Sequence, residues 1–310
     1  MACRIASLLS AATEMLFVLG LGERVVAVSH ECDWPPAVSQ LPRVTMSHIA
    51  ASASSAAIDS QVRELAAAAR PLYGLDVELL GRLKPDLIVT QQQCDVCAVS
   101  YEDVLSAVAS DPRLADCRVV ALNPQGLDDV LNDLRRVGEA AGSSAAADRC
   151  LAELESRIDM IRRQTAGLAE AARPRVVCIE WTEPLMLAAN WVPEIIELAG
   201  GRNGLSIGGR HSTYHAWPDV LAYDPQVILI SPCGFELNRT LDEARALTRI
   251  SGWQGMTAVR NGRVFAVDGN AYLNRSGPRL VDSLEVVAHL LHPDQFAAPP
   301  QAVGGWSPML

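Results

Sequence analysis

The sequence predicts an α/β fold in which two Rossmann-like lobes are joined by a long rigid helix, with a ligand cleft between the lobes. The first observation behind this prediction is an amphipathic stretch, residues 144–172, in the middle of a chain of 310 residues. Its apolar residues recur at helical spacing, and a helix of that length spans about 43 Å at 1.5 Å per residue. The second observation is that the two halves flanking this stretch resemble each other segment by segment.

Three pairs of matched segments occur in the same order in the two halves. The repeated order predicts two lobes of similar topology, and chance similarity between strand–helix units is the alternative. The predicted bounds are 1–142 for the N-terminal lobe, 143–173 for the linking backbone helix, 174–297 for the C-terminal lobe and 298–310 for a tail. The matched pairs are Arg4–Leu9 with Arg175–Glu180, Leu83–Val89 with Tyr223–Leu229, and Arg118–Leu122 with Arg263–Val267.

The strands of both lobes are short, continuous apolar runs, which is typical of parallel strands buried on both faces. Ile5–Leu9 and Val25–Val28 are such runs in the first lobe, and Val176–Ile179 and Val227–Ile230 are such runs in the second. In open parallel sheets ligands bind at the carboxyl ends of the strands. We therefore expect functional residues in the loops that follow these strands.

The bulk composition excludes several classes of function. With 49% hydrophobic residues the chain can form two cores, and a net charge of −10 with a single lysine, Lys84, leaves no basic surface for nucleic acid. No apolar run is long enough to span a bilayer, so we expect no membrane insertion. The eight cysteines are unevenly spaced, which argues for a reducing compartment and against a disulfide scaffold. These features predict a cytoplasmic protein, or a periplasmic one if a leader has been removed.

The loops after the strands collect aromatic and polar residues of the kind that line binding sites. Several aromatic rings with a few polar groups suit a large, flat, partly apolar ligand, and the alternative is that the tryptophans only pack the loops against the sheet. The candidate ligand contacts are Trp34, Trp181, Trp191, Met186, Asn270, Tyr272 and Arg275.

The pair Cys94-x-x-Cys97 has three interpretations. It is a tight turn with two buried and inert cysteines, a redox pair, or part of a metal or cofactor site. A structural zinc site needs four ligands, and no second pair with this spacing exists in the sequence. The candidate metal ligands are therefore Cys94 and Cys97 together with His30, Cys32 and Cys233.

Other chemical motifs are weak. His211 and His215 are four residues apart, but the glycines before them and Pro218 after them disfavour the helix that would place both on one face. Ser212 is not part of a Gly-x-Ser-x-Gly motif, and the chain contains no phosphate loop or dinucleotide fingerprint. The sequence therefore predicts a binding protein rather than an enzyme, with a thiol-dependent enzyme acting on a bound cofactor as the alternative.

From about Arg4 to Pro293 the order of motifs resembles the substrate-binding proteins of ABC importers, in the two-lobed class with a helical backbone. That class carries cobalamin, haem, siderophores and metals. Asp33-Trp34-Pro35-Pro36 and Tyr272-Leu273-Asn274-Arg275 are most similar to segments of its cobalamin-binding members. The resemblance implies that Trp34, Tyr272 and Arg275 contact a cobalamin-like corrinoid in the cleft, with haem, a metal ion or a ferric chelate as the alternative ligand.

The resemblance also implies an ABC permease as partner. Proteins of this kind present a surface glutamate on each lobe to arginines of the permease. Glu78 matches the first position, whereas Pro218-Asp219 stands where the second glutamate is expected. The sequence therefore predicts a corrinoid-binding protein that does not depend on docking to an importer.

Overall fold

The computed structural model describes residues 3–93 and 98–309 of the chain. Contacts within the chain divide it into two compact units. The first consists of Met1–Ala53, Ala57–Pro124 and Asp128–Glu153. The second consists of Ser54–Ala56, Gln125–Leu127 and Leu154–Leu310.

The first unit is built on a parallel sheet whose two inner strands are buried along their whole length, which is typical of parallel sheets covered on both faces. Its four strands among the described residues have the order β2-β1-β5-β6, and an antiparallel pair, β3 and β4, lies outside this sheet. The strands are β1 (Ile5–Ser7), β2 (Val25–Val28), β3 (Thr45–Ser47), β4 (Tyr73–Leu75), β5 (Leu87–Gln91) and β6 (Arg118–Leu122).

Polar side chains fix where the connecting helices begin. Asp76 accepts a hydrogen bond from the backbone N–H of Leu79 at 2.8 Å, and Ser100 accepts one from the N–H of Asp103 at 3.1 Å. Each satisfies a backbone donor that the first helical turn leaves without a partner. The helices are α1 (Ser10–Val18), α2 (Ser55–Ala67), α3 (Val77–Leu83), α4 (Tyr101–Ser110) and α5 (Leu127–Ala140).

Helix α6 (Ser144–Thr165) contributes residues to both units, because the boundary between them falls after Glu153. Its 22 residues span about 33 Å. The helix ends at Thr165 rather than at the predicted Ala172. The Thr165 hydroxyl bonds back to the carbonyls of Ile161 (3.1 Å) and Leu198 (2.9 Å), and Gly167 follows, which favours termination.

The second unit also has a parallel centre, formed by β7, β11 and β12. Antiparallel strands extend it on both sides, so that the order is β10-β8-β7-β11-β12-β13, and β9 pairs with the beginning of β7. The strands are β7 (Arg175–Trp181), β8 (Met186–Leu187), β9 (Arg202–Asn203), β10 (Thr213–Tyr214), β11 (Val227–Ile230), β12 (Val264–Val267) and β13 (Trp306–Pro308).

The helices of the second unit cover the faces of this sheet. Trp253 is fully buried in the core on one face and packs edge-to-face with Trp217, with the ring centroids 5.9 Å apart. The helices are α7 (Val192–Leu198), α8 (Trp217–Tyr223), α9 (Leu237–Leu247), α10 (Thr257–Arg260) and α11 (Leu280–Leu291).

The matched sequence segments occupy equivalent places in the two sheets. Strands β1, β5 and β6 are adjacent in the first unit, and their counterparts β7, β11 and β12 are adjacent in the same order in the second. The helices that precede β5 and β11 end in the same way, since Lys84 and Asp224 both adopt the left-handed conformation with φ of 46° and 47°. The internal repeat is therefore a repeat of topology as well as of sequence.

The predicted tail is part of the fold. Residues 306–308 form β13, which pairs antiparallel with β12, so that Trp306 lies opposite Val267. The Trp306 ring meets Phe265 edge-to-face with centroids 6.2 Å apart and lies 5.3 Å from the ring of His289. The sequence of this segment has no strong strand pattern. Its pairing with β12 is therefore supported by aromatic contacts that form only in the folded chain.

We expect Trp306→Ala to lower the free energy of unfolding by about 2 kcal/mol, because it removes a half-buried ring with two aromatic neighbours. Val303→Ala is the matched control in the same segment, since Val303 is 80% exposed. It should change stability by less than about 0.5 kcal/mol. Urea unfolding measures both variants, and equal effects would mean that β13 does not stabilise the sheet.

A cluster of charged side chains joins the second half of α6 to α11. Arg157 donates two hydrogen bonds to Glu285, both 2.8 Å long, and pairs with Asp282 as well. Gln301 also donates to Glu285. All three charged groups are mostly shielded from solvent, so removing the arginine leaves two neighbouring carboxylates without their counter-charge.

Arg157→Gln is therefore expected to destabilise the chain by about 1–3 kcal/mol. The control is Arg162→Gln on the same helix, where the ion pair with Asp159 is exposed and worth at most about 0.5 kcal/mol. Thermal or urea unfolding of the two variants distinguishes these values. A loss of similar size in both would contradict a special role for the α6–α11 cluster.

Candidate functional site

In the first unit, His30 follows β2 at the carboxyl end of the parallel sheet. Its backbone N–H donates to the Thr45 hydroxyl at 2.9 Å, and its Nδ1 lies 2.7 Å from the same oxygen. The ring packs against Tyr73 with centroids 5.3 Å apart. Burial, and secondarily the charge of Arg43, lower the pKa of His30 and favour the neutral imidazole.

The predicted metal ligands are distributed over both units. Cys32 is only 1% exposed, its sulfur lies 3.1 Å from the Thr13 hydroxyl, and burial raises the pKa of the thiol. Cys233 is exposed after β11 in the second unit, and Cys94 and Cys97 lie outside the described residues. Within residues 3–93 and 98–309 no group of three or more His, Cys, Asp or Glu side chains is arranged to hold a metal ion.

Trp34 is the predicted ligand contact that the first unit leaves accessible. It lies in the loop after β2 with 47% of its surface exposed. Met46 on β3 is also exposed. An exposed tryptophan at the carboxyl end of a parallel strand offers apolar contact area of the kind that binding sites use.

In the second unit, Trp181 and Met186 lie opposite each other on β7 and β8. Both are half-buried. The Trp181 ring packs edge-on against Phe235, with centroids 5.2 Å apart, and its indole N–H donates to the carbonyl of Ser55 at 3.2 Å. The guanidinium of Arg239 stacks 3.4 Å from the centre of the Phe235 ring. The half-buried side chains of Trp181 and Arg239 thus cover the buried Phe235 ring next to the end of β7.

Two predicted ligand contacts are buried in the second unit. Trp191 donates from its indole nitrogen to the Leu273 carbonyl at 2.6 Å. Tyr272 packs so closely against Gly305 that a Cβ atom there would lie 2.3 Å from the ring. Both rings therefore stabilise the segment after β12, and their contact with a ligand stays a prediction.

Arg275 and Asn270 form one hydrogen-bonded unit in the same segment. Arg275 is 6% exposed and donates to the Asn270 side-chain oxygen at 2.8 Å. The Asp268 carboxylate accepts from the backbone N–H groups of residues 270 and 271 at 3.0 and 2.8 Å. Ligand contact by Arg275 and Asn270 also remains a prediction.

Glu180 is the second-last residue of β7, and its side chain contacts the segment that leads to β10. Ser212 donates from its hydroxyl to Glu180 Oε2 at 2.8 Å and accepts from the N–H of Ala189 at 3.0 Å. Burial raises the pKa of Glu180 to about 7, and the hydrogen bond from Ser212 opposes that shift. A titratable carboxyl group thus stands at the strand end where a ligand is expected.

Sequence reasoning passed over Glu180, Phe235 and Arg239. Glu180 had a detectable signal, because a charged residue ends the otherwise apolar run of β7. No signal in the sequence indicated the stacking of Arg239 on Phe235, because this contact depends on how α9 begins after the loop that follows β11. Ser212 lies beside β10, and the extended backbone there places His211 and His215 in a strand region rather than on one helical face.

Comparison with known proteins places the chain among substrate-binding proteins. A family model described as periplasmic binding protein matches residues 5–271. An uncharacterized ABC transporter substrate-binding lipoprotein of Bacillus subtilis, YvrC, is 23% identical over 94% of this chain and 81% of its own length. A vitamin B12-binding protein of Pectobacterium carotovorum is 26% identical over 90% of this chain and 84% of its own.

A solved structure has the same fold. The periplasmic haem-binding protein RhuT of Roseiflexus, in its apo form, aligns with a TM-score of 0.70 and 23% identity over 94% of this chain and 99% of the other. These findings confirm the predicted α/β fold of the class with a helical backbone and the resemblance to importer-type binding proteins. They also confirm a binding protein rather than an enzyme.

The prediction of a cytoplasmic location was wrong. The relatives are lipoproteins and periplasmic binding proteins, which points to a place outside the cytoplasm. The number of cysteines misled the prediction. Cys32, Cys150 and Cys178 are buried packing residues, and burial raises the pKa of Cys32 and Cys178 and so suppresses the reactive thiolate. Among the helices of the described residues, none has the length and apolar character that crossing a bilayer requires.

The raised pKa of Glu180 predicts a pH-dependent contribution to stability. Between the ordinary value of 4.5 and about 7, the folded chain holds a proton that the unfolded chain releases. The free energy of unfolding should therefore fall as pH rises through this window and stay level above it. Glu180→Gln should remove that part of the decline, and the exposed Glu183→Gln should not. Urea unfolding at several pH values from about 4.5 to 8 tests this. A profile unchanged by Glu180→Gln would contradict the shift.

Proposed function

This chain belongs to the periplasmic binding protein family, and from that premise we propose that it binds a cobalamin-like corrinoid and serves an ABC importer. The observation that carries the proposal is the 26% identity to a vitamin B12-binding protein over 90% of the chain. The finer assignment to a corrinoid also draws on the Asp33-Trp34-Pro35-Pro36 loop, which resembles the aromatic loop of cobalamin-binding members.

The exposed ring of Trp34 supports a flat, partly apolar ligand. A corrin ring presents a broad apolar face, and a tryptophan that is 47% exposed has area left to cover. The proposed contacts in the second unit are Trp181 and Met186, which are half-buried beside the end of β7. The buried residues Trp191, Tyr272 and Arg275 and the half-buried Asn270 then act mainly by holding the loop after β12 in place.

Haem is the second candidate ligand, and His30 is the observation that favours it. Its Nε2 is buried, has no hydrogen-bond partner among the described residues and lies 3.8 Å from Glu31. A neutral imidazole is one of the axial ligands that hold haem iron in proteins. The lowered pKa of His30 keeps the imidazole in that form.

Docking to a permease is proposed through Glu78, which lies exposed near the beginning of α3. It pairs with Arg113 at 2.9 Å and Arg82 at 3.2 Å, and the hydrogen bond from Arg113 lowers the pKa of its carboxyl. In the equivalent helix α8, Pro218 replaces the second glutamate, but Asp219 follows it and is exposed. An acidic group is therefore available on both helices, so the absence of the second glutamate does not by itself argue against docking.

Titration of the purified protein with hydroxocobalamin and, separately, with haemin tests the ligand. We expect co-elution and a shifted absorption spectrum with hydroxocobalamin. Trp34→Ala should weaken binding about tenfold, since a lost aromatic contact is worth about 1–2 kcal/mol. Met160→Ala removes an equally exposed apolar side chain from α6 and should leave binding unchanged.

Two outcomes would contradict the proposal that the ligand is a corrinoid. A flat titration with hydroxocobalamin excludes it directly. Binding of haemin alone, abolished by His30→Ala, would assign the second candidate instead.

A further inference from the structure

Glu180 is held rigidly at the end of the central strand of the second unit. The strand β7 pairs with β11 up to Ile179 and Ile230. The Glu180 carbonyl then accepts a hydrogen bond from the N–H of Cys233 at 3.2 Å. The position of this carboxyl group is therefore set by the sheet and not by a free loop.

The hydroxyl of Ser212 connects the carboxyl group of Glu180 to the segment after β8. Its oxygen accepts the N–H of Ala189 at 3.0 Å, and its single hydrogen is donated to Glu180 Oε2 at 2.8 Å. When the carboxyl is ionised, Oε2 accepts this bond and Oε1 is left as an acceptor. The neutral acid carries one proton that it can donate.

The carboxyl oxygen of Glu180 that can bind a ligand is Oε1. Across the part of the chain that the structure describes, Ser212 is the only side-chain hydrogen-bond partner of Glu180, and Glu180 forms no ion pair. The residue is half-buried and not closed off from solvent. The titratable groups on the neighbouring strand and loops are Cys178 on β7, Arg210, His211 and His215 around β10, and Cys233 after β11.

We propose that Glu180, oriented by Ser212, selects ligands whose edge carries primary amides over ligands whose edge carries carboxylates. This inference rests on the proposed function. An amide supplies N–H donors and a carbonyl acceptor, so it pairs with Oε1 in either protonation state. A carboxylate pairs only with the neutral acid, and it is repelled by the ionised one. The edge of a corrinoid carries amides and that of haem carries carboxylates, so this one residue distinguishes the two candidate ligands.

A pair of corrinoids that differ only at the edge tests the proposal. Dicyanocobinamide carries amides around the ring, and dicyanocobyrinic acid carries carboxylates at the same places. The dissociation constants of both are measured at about pH 8, where Glu180 is mostly ionised because burial raises its pKa only to about 7. The quantity of interest is the ratio of the two constants, which cancels effects on general ring binding.

Glu180→Gln should reduce the preference for the amide-bearing corrinoid roughly tenfold, because the glutamine amide can donate to a carboxylate. Glu183→Gln is the matched control, since Glu183 is an exposed carboxylate three residues further along the same segment. It should leave the ratio unchanged. A role of Glu180 confined to holding the β8–β10 segment would alter stability in the unfolding experiment but not this ratio.

If Glu180→Gln does not fold, Ser212→Ala provides the second variant. This substitution removes the hydrogen bond to Oε2 that stabilises the ionised form of Glu180. The preference for the amide-bearing corrinoid should therefore fall, but by less than in Glu180→Gln. Binding of both corrinoids with a ratio unchanged in these variants, or changed equally by Glu183→Gln, would overturn the inference and leave the proposed function standing. Failure of the unmodified protein to bind either corrinoid would overturn both.

Discussion

Parallel strand pairing is the constraint on which the rest of this structure depends. In the second unit, β7 and β11 pair through Val176–Val227, Val177–Ile228, Cys178–Leu229 and Ile179–Ile230, and β11 pairs with β12 in the same direction. The paired side chains are almost all apolar and fully buried, so a shift of one residue would expose them. The register therefore fixes at which residue each strand ends, and so where each loop begins.

The loops after the strands acquire their shape from a few polar contacts. After β12, Asp268 accepts backbone N–H groups, Asn270 accepts from Arg275, and Asn274 donates to the Ser231 carbonyl at 2.7 Å. Gly269 approaches Pro232 so closely that a Cβ atom would lie 2.0 Å from its carbonyl oxygen. These contacts connect the loop after β11 to the loop after β12. Near the end of β7, the side chain that hydrogen-bonds to Glu180 comes from a different segment, as Ser212.

An aromatic side chain that binds a ligand must be accessible, whereas one that packs the loop against the sheet is buried. In the sequence, a tryptophan in a loop after a strand looks the same whether its ring contacts a ligand or packs beneath the loop. Trp34 is exposed, Trp181 is half-buried beside Phe235, and Trp191 is buried with its N–H bonded to Leu273. The three rings thus have three environments, and the fold alone explains the position of Trp191.

The sequence alone determined the elements whose signal is local or repeated. The strands Val25–Val28 and Val227–Ile230 have the predicted bounds, because a continuous apolar run is a property of neighbouring residues. Tertiary structure decided what depends on residues far apart. The pairing of β13 with β12, the burial of Arg275 and Tyr272, and the meeting of Glu180 with Ser212 across 32 positions of sequence follow from the packed sheet. No local pattern encodes these contacts, since each partner acquires its neighbour only when the strands have paired.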